Sequence, residues 1–523
     1  MRRTLAALIT SAVLIPIAVT ALPGTASAAT NTLTVHVYGR DGAKVKTKVS
    51  VVNLSTNSTY KLTSGEARKL PKGSYVALAN IRSADGINTL GGRTVKVSGR
   101  SKTSIDARKG RRMTVAPSPA APDGSGLSVG ARICARNTTS AAVEAFTNPG
   151  KLYLIPNSST NLRFAYTANW NESTATNERA SYVVAGQTKG VPSGFKRSIK
   201  RSSLAAVTMN VRKGPAINPN VDISARVPSG GCAGNMGSGL ENDQAPYRHK
   251  TYLSAGKWML EAYSYSAFQW REISLEKGKS YSQTFYRSAW APDARLPYVL
   301  DGKLSYRTDA MFQDPGFPDR PYSSGSNYYS ANCCSRSVVT LTKGGKVLKK
   351  QTRTEWGADR TDFRYRLSSS GWYGLTIDAK RYHPELDVPS DLLSNRTTAR
   401  FRFYANPKKD LAAGVFLPRF VPAGLDLHNS AKPGSTTGVS LTLHRPSAYP
   451  DVKTPAIKVK TVTAWASYDN GKTWKKVGVK KSGSKWVVTV KNPASGYVTL
   501  RTKVTDTKGN SSDVTVYRAY RIG

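Results

Sequence analysis

Three short stretches place side chains at spacings where chemistry is done. Ser467-x-Asp469-x-Gly471-x-Thr473-Trp474 suits a hairpin tip: the hydroxyl and carboxylate cap turn amides, the glycine takes a positive φ, and the indole packs beneath. None of these roles breaks a bond. Gly126-Leu127-Ser128-Val129-Gly130 fits the Gly-x-Ser-x-Gly pattern, which presents a nucleophilic serine only where a strand turns sharply into a helix. Here the pattern follows a proline-rich spacer and opens an alternating strand, so the match is one of letters. His383-Pro384-Glu385-Leu386-Asp387 holds three metal-ligand types, but Pro384 and Pro389 favour an irregular loop over a rigid clip. His-Glu-x-x-His, phosphate-loop and dinucleotide glycine patterns do not occur. The expectation is a protein without catalysis, cofactor or metal.

The remaining reactive groups are Cys134, Cys232, Cys333 and Cys334. In an oxidising compartment an even count favours disulfides, and four cysteines allow three pairings. If the division near Ala291 given below holds, Cys134–Cys232 closes one unit and Cys333 bonds to Cys334; the other pairings would tie two units together. Zinc is a poor alternative, because Cys333-Cys334 lacks the spacer that lets two thiolates reach one ion. Aromatic residues gather at Tyr263-Ser264-Tyr265, Phe268-Gln269-Trp270 and Tyr322 to Tyr329. Tyr263, Tyr265, Trp270, Tyr328 and Tyr329 are therefore candidate platforms for carbohydrate or peptide, with hairpin packing as the simpler use of the same rings.

The elements that would position these groups follow a period of two. Leu33, Val35 and Val37 alternate with Thr34, His36 and Tyr38, and Val498, Leu500, Thr502 and Val504 repeat the pattern. Gly39-Arg40-Asp41-Gly42, Lys343-Gly344-Gly345 and Asp469-Asn470-Gly471 punctuate the strands as turns. An all-β chain of tandem sandwiches, immunoglobulin-like or transthyretin-like, is expected. A basic start at Arg2-Arg3, an apolar run from Leu5 to Ala21 and Ala26-Ser27-Ala28 form an export signal over 1–28, cleaved before Ala29. With 523 residues the chain exceeds one ordinary core. The division expected is a first sandwich at 29–115, a linker at 116–126 and sandwiches at 127–291, 292–407 and 408–523.

Charge is the strongest compositional signal. Lys plus Arg number 77 against 32 Asp plus Glu, a formal net charge of +45. Such an excess attracts polyanions and makes binding fall with salt. Many of the lysines alternate with apolar residues, as edge-guarding lysines do. No helix-turn-helix, zinc-finger spacing or ribonucleoprotein-type motif accompanies the charge, so sequence-specific nucleic-acid recognition is not expected.

Two resemblances accompany these patterns. TLTVHVYGRDGAKVKTKVSVVNLST followed by GEARKLPKGSYVALANI resembles the carboxypeptidase regulatory-like or transthyretin-like sandwich, which implies a noncatalytic accessory. YLSAGKWMLEAY, LSNRTTARFRFYANP and the stretch from Ala464 to Tyr520 look like the C-terminal extension of large secreted bacterial subtilisin-family peptidases. The catalytic strings of that family (Asp-Ser/Thr-Gly, His-Gly-Thr, Gly-Thr-Ser-Met-Ala) are absent, so the likeness is to the appendage alone. The Ser467–Trp474 stretch is similar to the hairpins of sialidases, which carry several copies with an arginine triad and a tyrosine nucleophile; this chain has one copy.

Together these observations lead to the expectation of a secreted, extracellular or wall-associated, monomeric protein that adheres through a basic surface to an anionic wall polymer, a glycan or an extracellular protein. The alternatives are a secreted hydrolase with unrecognised motifs and an accessory that docks on a separate peptidase.

Overall fold

The structure, a computed structural model, describes residues 31–136, 141–173, 179–264, 267–292, 295–307, 311–317, 324–328, 335–353, 362–382, 386–446 and 452–523. The segment 1–28, Tyr265, Tyr329, Cys333, Cys334 and His383 lie outside them. Among the described residues the regular structure is strand apart from short 3-10 turns at Ala107–Lys109 and Arg201–Ser203. No helix there is long and apolar enough to cross a membrane. The chain is all-β, as the period of two requires.

The strand Arg396–Ala405 illustrates the local logic. Ala399, Phe401 and Phe403 are at most 2% exposed, whereas Arg400, Arg402 and Tyr404 between them are exposed. Successive side chains of a strand leave opposite faces, so one face is driven into the core and the other is left wet.

Sheets built this way stack in layers. The first is three-stranded, Thr32–Tyr38 lying between Ala67–Lys69 and Arg100–Asp106. It packs through Leu33, Val35 and Val37 onto Val49, Val51, Tyr75 and Ala77 of a seven-stranded sheet. That sheet runs, in lateral order, through Phe195–Lys200, Arg111–Ser118, Leu152–Leu154, Asn88–Val97, Gly73–Arg82, Lys48–Asn53 and Thr59–Thr63. Its opposite face, with Val52, Val76, Leu78 and Leu90, shares a core with Ile133, Phe164 and Trp170 of a second seven-stranded sheet. A five-stranded sheet centred on Asn220–Arg226, Gly256–Ser264 and Ala267–Leu275 comes next, followed by a four-stranded and a twelve-stranded sheet. A single apolar cluster links Val183 to Ile522 through all of these.

Sheet hydrogen bonding therefore crosses each of the seams expected from composition. Ala116–Ser118, the start of the proline-rich spacer, is strand and pairs in parallel with Ser198–Lys200. Leu152–Leu154 inserts between Arg111–Ser118 and Asn88–Val97. Near Ala291, Trp290 is fully buried, its amide donates to Ser394 Oγ (2.8 Å), and the Arg381 guanidinium lies 4.7 Å from its ring centroid. At 407, Leu411–Ala412 pairs back onto Tyr298–Leu300, and Arg396–Ala405 pairs with the last strand, Ser511–Ile522. Composition marks the turns and prolines of these segments, whereas the packing of large apolar side chains across them decides where the cores lie.

Candidate binding face on the long sheet

Cys134 and Cys232 are bonded, with Cα atoms 5.7 Å apart, inside the range a disulfide spans. The bond fastens the strand Ser128–Ala135 to the loop between Asn220–Arg226 and Gly237–Gln244. Arg132 reinforces the junction, Nη1 donating to the carbonyls of Cys232 (3.2 Å) and Gly234 (2.7 Å). Ser128, the serine of the Gly-x-Ser-x-Gly stretch, lies in that strand and donates Oγ to Asn169 Oδ1 (2.6 Å). No group of three or more metal-ligating side chains occurs among the described residues.

The aromatic candidates divide. Tyr263 and Trp270 share the outer face of the five-stranded sheet with Phe268, which stands edge-on to Tyr263 (6.5 Å between centroids) and stacked on Trp270 (5.3 Å). The backbone of Tyr328 pairs with Ala267 in the neighbouring edge strand. Carboxylates sit beside these rings: Asp222 is directly across from Tyr263, and Glu261 from Trp270. Glu261 binds Arg226 and accepts from Ser224 Oγ (2.9 Å). The rings cluster on one face, with Asp222 and the arginine-paired Glu261 beside them.

The hairpin at Ser467–Trp474 forms as its residue types require. Gly471 N donates to Ser467 Oγ (2.8 Å), Thr473 N to Asp469 Oδ1 (2.9 Å), and φ is +58° at Asn470 and +86° at Gly471. Bonds from the Thr473 hydroxyl, the Thr473 amide and the Ser467 hydroxyl hold the Asp469 carboxyl well below the usual carboxylate range. Trp474 is half-buried rather than a core residue. It lies against Arg501, whose guanidinium is 5.7 Å from its ring centroid and 5.0 Å from that of Trp465.

That contact opens onto a surface the amino-acid pattern did not single out. The strands Gly371–Arg381, Arg396–Ala405, Ser511–Ile522, Gly496–Asp506 and Val459–Ser467 lie side by side in this order. Register sets Thr376, Arg400, Asp513, Lys503 and Thr463 in one row across them, with Lys380, Arg396 and Tyr517 in another. Neighbours within a row are about 4.8 Å apart, one strand to the next, and successive rows on the same face are about 7 Å apart along a strand. The outward carboxylates of these five strands are Asp378 and Asp513, and each is held by an arginine. Arg396 Nε donates to Asp378 Oδ1 (2.8 Å). Arg501 grips Asp513 through Nε (2.8 Å) and Nη2 (2.6 Å). Each carboxylate raises the pKa of its arginine. Arg396 also lies 4.7 Å from the Tyr517 centroid.

Lys380, Arg400 and Lys503 are exposed and have no carboxylate within ion-pair distance among the described residues. Arg402, also exposed, donates Nη1 to Gly509 O (2.7 Å) and covers Trp372 at 3.9 Å. The face therefore has its acids neutralised from within and its remaining cations turned outward. Paired arginines on a surface add little stability, about 0–1 kcal/mol each; their effect here is to leave a positive field. The alternation in Ala399-Arg400-Phe401-Arg402-Phe403-Tyr404 was the available signal, since in a strand it puts every cation on one side.

No family model matches the chain, and no curated protein does. Several solved structures are similar in part. Chicken CNTN1 FN1-FN3 domains share 14% identity, covering 68% of this chain and 94% of that one at a TM-score of 0.14. The Bacillus anthracis TIE protein shares 8%, covering 72% and 71%, also at 0.14. A streptococcal ancillary pilin shares 9%, covering 72% and 95%, at 0.13.

Proposed function

We propose that this chain is a secreted, noncatalytic binding protein that adheres to anionic extracellular polymers through the outer face of its long sheet. The observation that carries the proposal is the set of exposed cations without ion-pair partners, Lys380, Arg400 and Lys503, joined by Arg402, on a face whose two acids are already paired. Several outward cations on one sheet face suit a ligand that carries several negative charges. The likeness of 464–520 to a peptidase appendage supports the same reading, an accessory that holds rather than cuts.

Four cations neutralising four phosphates give a slope of about −3 in log K against log salt, so affinity falls about 60-fold between 50 and 200 mM salt. The test is retention of the pure chain on immobilised polyphosphate across that range. A retention independent of salt would refute the electrostatic reading, and salt-independent capture of one protein from culture medium would favour docking on a peptidase instead.

A further inference from the structure

Where the cationic face meets the four-stranded sheet, the surface dips into a groove of about 370 Å³. Trp372 and Tyr404 form one wall, Phe403, Leu411 and Ala412 contribute apolar lining, and Lys409 and Lys508 line it as well. None of its lining residues is an acid. The nearest carboxylate in sequence to Lys508, Asp506, is 1% exposed and occupied by its own turn, accepting from Lys508 N (2.9 Å), Asn510 N (2.7 Å) and Asn510 Nδ2 (2.7 Å).

The aromatic wall is both rigid and exposed. Trp372 and Tyr404 meet edge-to-face, 5.9 Å apart at 82°, and remain 36% and 54% exposed. Arg402 holds the indole from one side. At Gly509, with φ +86°, a Cβ would stand 3.5 Å from the same ring. The backbone amide of Tyr404 is fixed in turn by Asn510 Oδ1 (3.1 Å). Large rings left in water beside an apolar recess offer a stacking surface to a ligand.

We propose that this groove binds an acidic sugar: a pyranose whose apolar face lies on the more exposed ring, Tyr404, with the perpendicular Trp372 ring bordering it, and whose carboxylate or phosphate substituent is met by Lys409 and Lys508. The inference rests on the polyanion reading above and gives it a specific site. The volume is at the small end of the range for ligand pockets, about 300–1,000 Å³, and suits one ring with its substituent rather than a length of peptide. Charge complementarity favours an acidic substituent, since the lysines are exposed and without ion-pair partners among the described residues.

The test is titration calorimetry of the full chain with four probes: an oligosaccharide containing uronic acid, a sugar-phosphate oligomer, the neutral oligosaccharide of the same length, and an acidic peptide. Both acidic sugar probes are expected to bind at least tenfold more tightly than the neutral one; binding of only one identifies the substituent. W372A/Y404A is expected to lower acidic-sugar affinity at least tenfold, and K409Q/K508Q to abolish the preference over the neutral probe. Y404A alone, at the more exposed ring, keeps the test valid if the double variant does not fold, with a loss of at least threefold expected. Retention on polyphosphate, measured in parallel, should persist in W372A/Y404A and fall in K380S/R400S/K503S, so failure of the groove and failure of the face are told apart. Equal affinity for acidic and neutral probes, unchanged affinity in folded Y404A, or equally tight binding of an acidic peptide overturns the proposal.

Discussion

Two outer sheet faces of this molecule carry clustered aromatic rings, and they differ in what stands between the rings. On the five-stranded sheet, Tyr263, Phe268 and Trp270 are neighbours of Asp222 and Glu261. On the long sheet, Trp372 and Tyr404 are neighbours of Arg402, Lys409 and Lys508. Stacking alone treats the two alike. An anionic partner does not, because like charge costs and opposite charge attracts over about 8 Å at physiological salt. The side chain one strand away, rather than the aromatic run itself, decides which face is fit to bind.

The comparison can be broken first by loosening one region. The Cys134–Cys232 bond closes 98 residues and anchors the five-stranded sheet, so C134S/C232S should cost about 2–5 kcal/mol in denaturant unfolding. Polyphosphate retention below the transition should be untouched, since the long sheet does not contain the bond. Loss of retention in the folded variant would show that the two regions are not separable. A smaller effect is expected from K380S/R400S/K503S: the salt slope should fall from about −3 to about −1. The matched change near the acidic platform, R226S/K257S, should leave the slope as it is.

Acid should sharpen the contrast further. Burial, with Arg419 adding to it, pushes the His444 imidazole down to about 4. A folded pKa below the unfolded value of about 6.5 means the unfolded chain takes the proton first, so stability is lost as pH falls from about 6.5 toward 4. About 1 kcal/mol is expected at this half-buried site after solvent screening, and H444Q should flatten that part of the pH profile. His249, in the sheet that backs the acidic platform, is likewise lowered by burial, but Glu241 opposes the shift. H249Q should therefore flatten the profile less than H444Q. The smallest effect belongs to Asp469. Its lowered pKa stabilises the hairpin above the usual carboxylate value, a contribution lost as pH falls below about 3.8. D469A should bring a slight fall in melting temperature at pH 7 and a smaller one at pH 2, followed by circular dichroism.

Much of the architecture was legible because burial on one face leaves a period of two in the letters: Leu33, Val35 and Val37 face the core as their spacing requires. The Ser467–Trp474 turn was legible too, since its bonds are local. The Cys134–Cys232 pair stood among three alternatives, and only the meeting of a strand with a distant loop selects it. The cationic face was hidden for the same reason. Arg400, Asp513 and Lys503 are far apart in the chain and become one row through register, and the internal pairing of Asp378 and Asp513 is what leaves the other charges uncompensated. Prolines around 116–126 suggested a spacer; 119–127 holds no strand, whereas Pro117 lies in one, where a proline is tolerated if its partner does not need the missing donor.

The strand Leu152–Leu154 occupies a slot in the middle of the first large sheet, and Phe195–Lys200 forms its rim. A nascent chain that has emerged only as far as residue 126 thus holds an unfinished layer, with bare backbone edges where these two segments belong. The N-terminal portion is no cassette to be cut out and fused elsewhere, and its completion must wait until about 75 further residues have been made.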